Sequence, residues 1–269
     1  MDRHIKEYYH LFSDETPQGN FHEVIALHEK KEINWKELSK KVPKIIRGWY
    51  ELAHLSTEDR INFTHDFWVS KLPYRMGLTE FLDRFFHSLD EIGIYITEKK
   101  FADPYEVHLV YSLKGDNGFY RGELPILDEE QQQLQKTFPE QTFPADYLAF
   151  LQIHNGFCKT TDSTGIIPST SVLKTYEFLQ LRMEKCGPLL NSRGDAIDPK
   201  SLIPFYESFG MPFFQCFLSD WYPENEMGNI YYSGETHTIS DIFSKNSSSE
   251  TMAFPTFTDW LMFYMERIE

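Results

Sequence analysis

His154 and Cys158 are four residues apart, the spacing at which a thiol nucleophile and its base would share the face of a continuing helix. Asn155-Gly156 lies between them, and a glycine after a helical run takes the left-handed conformation that ends the helix. The pair is therefore read as structural, with Cys158 a small buried apolar side chain. Ten histidines invite a search for metal ligands. His22 and His28, six apart, fall on different helix faces, neither belongs to an HExxH, and His237 sits in Thr236-His237-Thr238, read as a turn or strand end. Paired ligands at useful spacing are absent, so neither zinc nor any other cofactor is expected. The chain holds no GxxxxGK[ST], no GxGxxG and no GxSxG. Its carboxylates are numerous, but in so acidic a chain any two can pair by chance, so counting acids neither points to a glycosidase or phosphodiesterase nor removes one.

A surface reading is left. Asp220-Trp221-Tyr222-Pro223-Glu224-Asn225-Glu226 follows a candidate strand and joins two aromatic side chains to three acids. Aromatic residues anchor protein interfaces, and acids steer and pair with basic side chains. The competing reading is a turn whose Trp221 folds back onto the sheet. Tyr231 and Tyr232, adjacent on a strand, point to opposite faces, so at most one serves such a surface. The candidate partner-binding residues are Asp220, Trp221, Tyr222, Glu224, Glu226 and Tyr231.

The elements that must position these residues read as α+β. The first 90 residues are expected to be mostly helical. Asn20 and Glu23 are spaced as a capping box ahead of a helix with Val24, Ile25, Leu27 and His28. Ser56 and Asp59 start a second helix, which Pro73 stops. Leu78, Phe81, Leu82, Phe85, Phe86, Leu89 and Ile92 form one wide apolar stripe at helical spacing. The period then shortens: Ile92–Ile96 and Val107–Tyr111 are β-rich runs around the turn signal Asp103-Pro104, which predicts a hairpin, and a short strand at Phe119-Tyr120 follows the Gly115–Gly118 turn. A boundary near Gly122 divides a region 1–122 from a region 123–269.

Beyond it the sequence predicts a polar helix over 128–137 and a helix opened by Pro144 and closed at Asn155-Gly156. A helix over 174–185, three strands at Leu202–Phe205, Phe213–Phe217 and Asn229–Tyr232, and a last helix with Phe257, Trp260, Leu261 and Tyr264 complete it. Residues 245–250, with three serines in a row, read as a mobile loop.

Composition excludes several classes. With 41% hydrophobic and 16% aromatic residues the 269-residue chain is globular, not disordered. No apolar run approaches a membrane span, and the N-terminus leads into no signal-peptide core. Three widely spaced cysteines form neither a disulfide framework nor a CxxC pair, which places the chain in the cytoplasm. The net charge of −15 is uneven: residues 1–122 carry 17 basic and 20 acidic side chains, residues 123–269 carry 9 and 21. Such a surface repels nucleic acid and anionic lipid and favours basic partners, or serves solubility alone.

The segment Phe143-Pro144-Ala145-Asp146-Tyr147-Leu148-Ala149-Phe150-Leu151-Gln152-Ile153-His154-Asn155-Gly156 resembles the signature of the SUKH superfamily (SMI1/KNR4-like), which includes yeast cell-wall regulators, the bacterial Syd protein and toxin-immunity proteins. Phe143 replaces the usual Leu, and Phe157 stands where a second Gly is common. Leu202–Phe205, Phe214–Asp220, Gly228–Tyr232 and Phe254–Leu261 follow in the family's order, so the resemblance covers Pro125 to the end. It implies a mixed sheet flanked by helices, a groove that binds diverse proteins, and structural roles for Pro144, Tyr147, Phe150, Leu151, Asn155, Gly156 and Trp260. No family is found for residues 1–122. The expected function is non-catalytic binding of a basic protein partner, as an immunity protein would bind a nuclease toxin. A regulatory scaffold of the cell envelope or a signalling pathway, and a hydrolase with an unrecognised site, stand as alternatives.

Overall fold

The computed structural model describes residues 1–11, 19–30, 32–162, 164–208, 212–240 and 252–266. The expected loop at 245–250 lies outside the described residues. Two compact units form: residues 1–70 with 79–124 (unit 1), and residues 71–78 with 125–269 (unit 2). Helices and antiparallel strands occur in both, an α+β architecture.

Unit 1 contains α1 (Arg3–Tyr8), β1 (Glu23–Ala26), α2 (Trp35–Lys41), α3 (Arg47–Ala53), α4 (Thr57–Lys71), α5 (Leu78–His87), β2 (Leu89–Glu98), β3 (Glu106–Leu113) and β4 (Phe119–Gly122). Its strands pair antiparallel in the order β1-β2-β3-β4. The predicted hairpin is present, with Ile92 opposite Tyr111 and Ile96 opposite Val107. Alternation along the strands separates two cores. Tyr95 and Val110 join Ile5, Tyr9, Phe21 and Phe119 on one face. Tyr111 on the other meets Trp68, Phe85 and Phe86, and its hydroxyl accepts from Trp68 Nε1 at 3.0 Å.

Two expected helices in this unit are corrected. The segment after Asn20 is strand β1, because its β-branched Val24 and Ile25 pair with Thr97 and Ile96 of β2, a partner that outweighs a local capping pattern. The stripe from Leu78 stays helical only to His87; from Leu89 the chain is extended, and Ile92 is a strand residue.

Unit 2 contains α6 (Asp128–Thr137), α7 (Ala145–Leu151), β5 (Phe157–Lys159), β6 (Gly165–Ile166), α8 (Ser169–Met183), β7 (Leu189–Leu190), β8 (Ala196–Ile197), β9 (Leu202–Glu207), β10 (Phe213–Leu218), β11 (Asn229–Ser233), β12 (Thr238–Ser240), β13 (Ala253–Phe254) and α9 (Phe257–Met265). Its sheet runs β5-β6-β9-β10-β11, with β12 and β13 both on β11. Helix α8 begins at Ser169, earlier than the expected 174, because the Asn155 side chain caps it there.

Period-2 alternation on β10 decides which helix covers which face. Phe214 and Cys216, with Ile230 and Tyr232, pack under Leu179 and Met183 of α8. Phe217 stacks on Phe205 at 4.3 Å, both meet Tyr147 of α7, and Phe205 meets Phe257 and Trp260 of α9. The open sheet groove that the family resemblance implies is therefore filled at the central strands: α8 covers one face, α7 and α9 the other.

Candidate functional site

Both faces of the central sheet are occupied, and five of the six candidate partner-binding residues lie in the connection between β10 and β11, with Tyr231 on β11 itself. The β10–β11 connection, residues 219–228, is closed by backbone hydrogen bonds from Trp221 to Leu218 and from Gly228 to Trp221. The Trp221 ring lies on Gly228, where an added Cβ would stand 2.4 Å from it, and packs against the core cluster under α8. Asp220, Tyr222 and Glu224 are exposed. Tyr231 is half-buried beside Phe213, their ring centroids 5.7 Å apart, and Tyr232 points into the opposite core.

Glu224 and Glu226 line a recess of about 190 Å³ together with Pro73, Tyr74, Arg75, Ala145, Asp146, Thr256 and Thr258. The recess brings two of the six candidate partner-binding residues together; Asp220, Trp221, Tyr222 and Tyr231 do not line it. Its other residues come from three places that spacing cannot connect: the 71–78 segment, the start of α7 and the start of α9.

Each wall has a local cause. Glu226 Oε2 accepts the Ala145 backbone N–H at 3.2 Å, filling an orphan donor at the first turn of α7, where Pro144 occupies the cap position with no side-chain oxygen of its own. Asp146 points back to α9, accepting from Thr258 N at 2.7 Å and Thr258 Oγ1 at 2.9 Å, while its other oxygen accepts from Tyr147 N. Thr256 caps α9 in the conventional way and donates its hydroxyl to Asp259. Arg75 donates Nε and Nη2 to the two oxygens of Asp259 at 2.9 and 2.6 Å, and Nη1 and Nη2 to Glu224.

The recess is anionic. Three carboxylates (Asp146, Glu224 and Glu226) line it with one guanidinium, Arg75, which is held by Glu224 and by Asp259 beside it. Hydrogen bonds from Arg75 hold the Glu224 carboxyl below its usual range. Burial pushes the Asp146 carboxyl up against the hydrogen bonds from Thr258 and Tyr147, and the neighbouring Glu226 charge adds to the rise. Tyr74, which lines the recess, is 90% exposed, and Met76 two residues further on is 84% exposed; Tyr222, in the β10–β11 connection, is half exposed. An arrangement of this kind can attract and orient a cationic group.

A larger groove of about 520 Å³ lies in unit 1 between α4 and α5, lined in part by Thr57, His65, Asp83, His87 and Lys114. His65 Nε2 is 2.9 Å from the Asp83 carboxylate. Among the described residues no serine or cysteine lines it, and its Thr57 hydroxyl is turned toward Glu91. No group of three or more His, Cys, Asp or Glu able to hold a metal occurs among the described residues. No helix among them is long and apolar enough to cross a membrane.

Comparison with known families finds a match between residues 125–262 and the SMI1 / KNR4 family (SUKH-1). The chain belongs to that family. Comparison with curated proteins and with solved structures returns no match.

The SUKH-1 match spans the residues that pack beneath α7 and α9. Pro144 sets the entry to α7, and Tyr147, Phe150 and Leu151 are fully buried beneath it. Asn155 accepts the Ser169 N–H at 2.7 Å and donates to Ser169 Oγ and Glu130, which ties α8 to α6. Gly156 has φ +120°, a conformation that favours glycine. Trp260 stacks on Tyr264 and meets Phe205 edge-on. His154 and Cys158 are both buried, the His154 ring stacked at 5.5 Å on Phe157. Asp146, in the acid position of the signature, was legible only as part of that motif; the 71–78 segment lies outside the family match and was read only as a helix stop at Pro73 and the start of a stripe at Leu78.

Proposed function

We propose that the protein is a non-catalytic binding protein whose SUKH-1 module grips a basic partner protein at the acidic recess of unit 2. The observation that carries this reading is a recess lined by the carboxylates of Asp146, Glu224 and Glu226 with a single guanidinium, beside the bare side chain of Tyr74. Charge of that sign raises association rates with cationic surfaces, and exposed tyrosines supply the apolar contact that gives an interface its lifetime. The net charge of residues 123–269 adds a long-range field of the same sign. Family membership supports a protein-binding role, with an immunity protein against a basic toxin and a regulator of the cell's own pathways as its two forms.

The test is capture of partners by the full-length protein, wild type and Glu224→Gln/Glu226→Gln, at low and high salt. The reading predicts basic proteins that are held at low salt, released at high salt and weakly retained by the double variant. Capture of acidic or neutral proteins only, indifferent to salt and to the two substitutions, would overturn it.

A further inference from the structure

We infer that Tyr74 and Met76 are the apolar anchors of this binding face, and that they fit a partner segment carrying an aliphatic side chain flanked by arginine or lysine. The inference rests on the reading that unit 2 binds a basic protein, and adds which residues hold the partner and what it must offer.

Tyr74 and Met76 have the highest exposures of the large apolar side chains among the described residues. A scattered exposed hydrophobic residue needs no explanation, but these two differ in how they are held. The residue between them, Arg75, donates four hydrogen bonds to two carboxylates, and Pro73 restricts the backbone just before them. The backbone that carries Tyr74 and Met76 is thus held in place with both side chains in solvent, so little backbone freedom is left to lose on binding. Tyr74 also lines the recess, so a cation entering it meets carboxylates and a ring face together. The Met76 thioether adapts to aliphatic shapes.

Charge selects the occupant. A second copy would bring 21 acids against 9 bases from its own residues 123–269 and be repelled. A basic segment of a different protein is the complement.

The test is fluorescence anisotropy of the full-length protein with two labelled peptides, Arg-Lys-Leu-Arg-Lys and Arg-Lys-Gly-Arg-Lys. Wild type is expected to bind the leucine peptide about tenfold more tightly, the gain from burying one such side chain. Tyr74→Ala/Met76→Ala should lower it to the level of the glycine peptide. Phe101→Ala, which removes a side chain 81% exposed in unit 1, should change nothing. Equal binding of the two peptides by wild type, or a preference that survives the double substitution, overturns the inference. If Glu224→Gln/Glu226→Gln still weakens both peptides in that case, the binding reading stands and the anchors alone are wrong; if those charge changes have no effect, both fall.

Discussion

Arg75 and Asp259 are 184 residues apart in sequence and meet in a two-pronged contact, Nε to Oδ1 at 2.9 Å and Nη2 to Oδ2 at 2.6 Å. The same guanidinium also reaches Glu224. One side chain therefore ties the 71–78 segment to both the β10–β11 connection and the start of α9. Arg75→Ala should free that segment while leaving the core of unit 2 intact. Limited chymotrypsin digestion would show this as cleavage after Tyr74 faster by about fivefold. Arg75→Lys should recover only part of the protection, because an ammonium cannot fork to two carboxylates in one plane.

A second prediction concerns Trp221. Its ring occupies the space above Gly228 that any β-carbon would fill. Gly228→Ala should displace the indole toward solvent, shift its fluorescence to longer wavelength and cost about 1–3 kcal/mol in urea denaturation. An unshifted spectrum with unchanged stability would mean that the ring does not rest there.

The Asn155 side chain fills three hydrogen bonds in a buried position, one of them the cap of α8. Asn155→Ala should destabilise unit 2 by about 1–3 kcal/mol. Asn155→Asp keeps the acceptor for Ser169 N–H but sets a charge against Glu130, so its loss should fall between wild type and the alanine variant in the same denaturation experiment.

The pH dependence of unit 1 has a definite sign. Burial depresses the His108 imidazole to about 4. In the unfolded chain the ring takes up its proton near pH 6.5, while the folded protein resists until about 4, so the unfolded state binds more protons between these values. Stability held above pH 6.5 is therefore lost as pH falls toward 4, by about 3 kcal/mol for this residue. His28, also lowered by burial, acts in the same direction. His108→Leu should flatten the acid limb of the urea midpoint plotted against pH; an acid limb as steep as that of wild type would assign the loss to other groups.

These residues also show where sequence was informative. The hairpin of Ile92–Ile96 with Val107–Tyr111 was legible because alternation and a turn signal agree with each other. The helix after Ser56 begins where that side-chain oxygen caps it. Asn20–His28 misled because a capping pattern is local, whereas the β1 pairing that defeats it depends on β2, some 70 residues later. The recess was half visible: Glu224 and Glu226 stood out beside aromatic residues, but nothing in the spacing joins Arg75 to partners 149 and 184 residues away. The helices that cover the two faces of the unit 2 sheet read, in sequence, only as flanking elements, because which face each covers is set by contacts far apart in the chain.

The most direct test of partner binding is an amide-resolved NMR titration of the isotope-labelled full-length protein with the Arg-Lys-Leu-Arg-Lys peptide at low salt. The account predicts shifts concentrated at Tyr74, Arg75, Ala145, Glu224 and Glu226 that vanish as salt is raised. Shifts confined to unit 1, or a uniform response indifferent to salt, would contradict it.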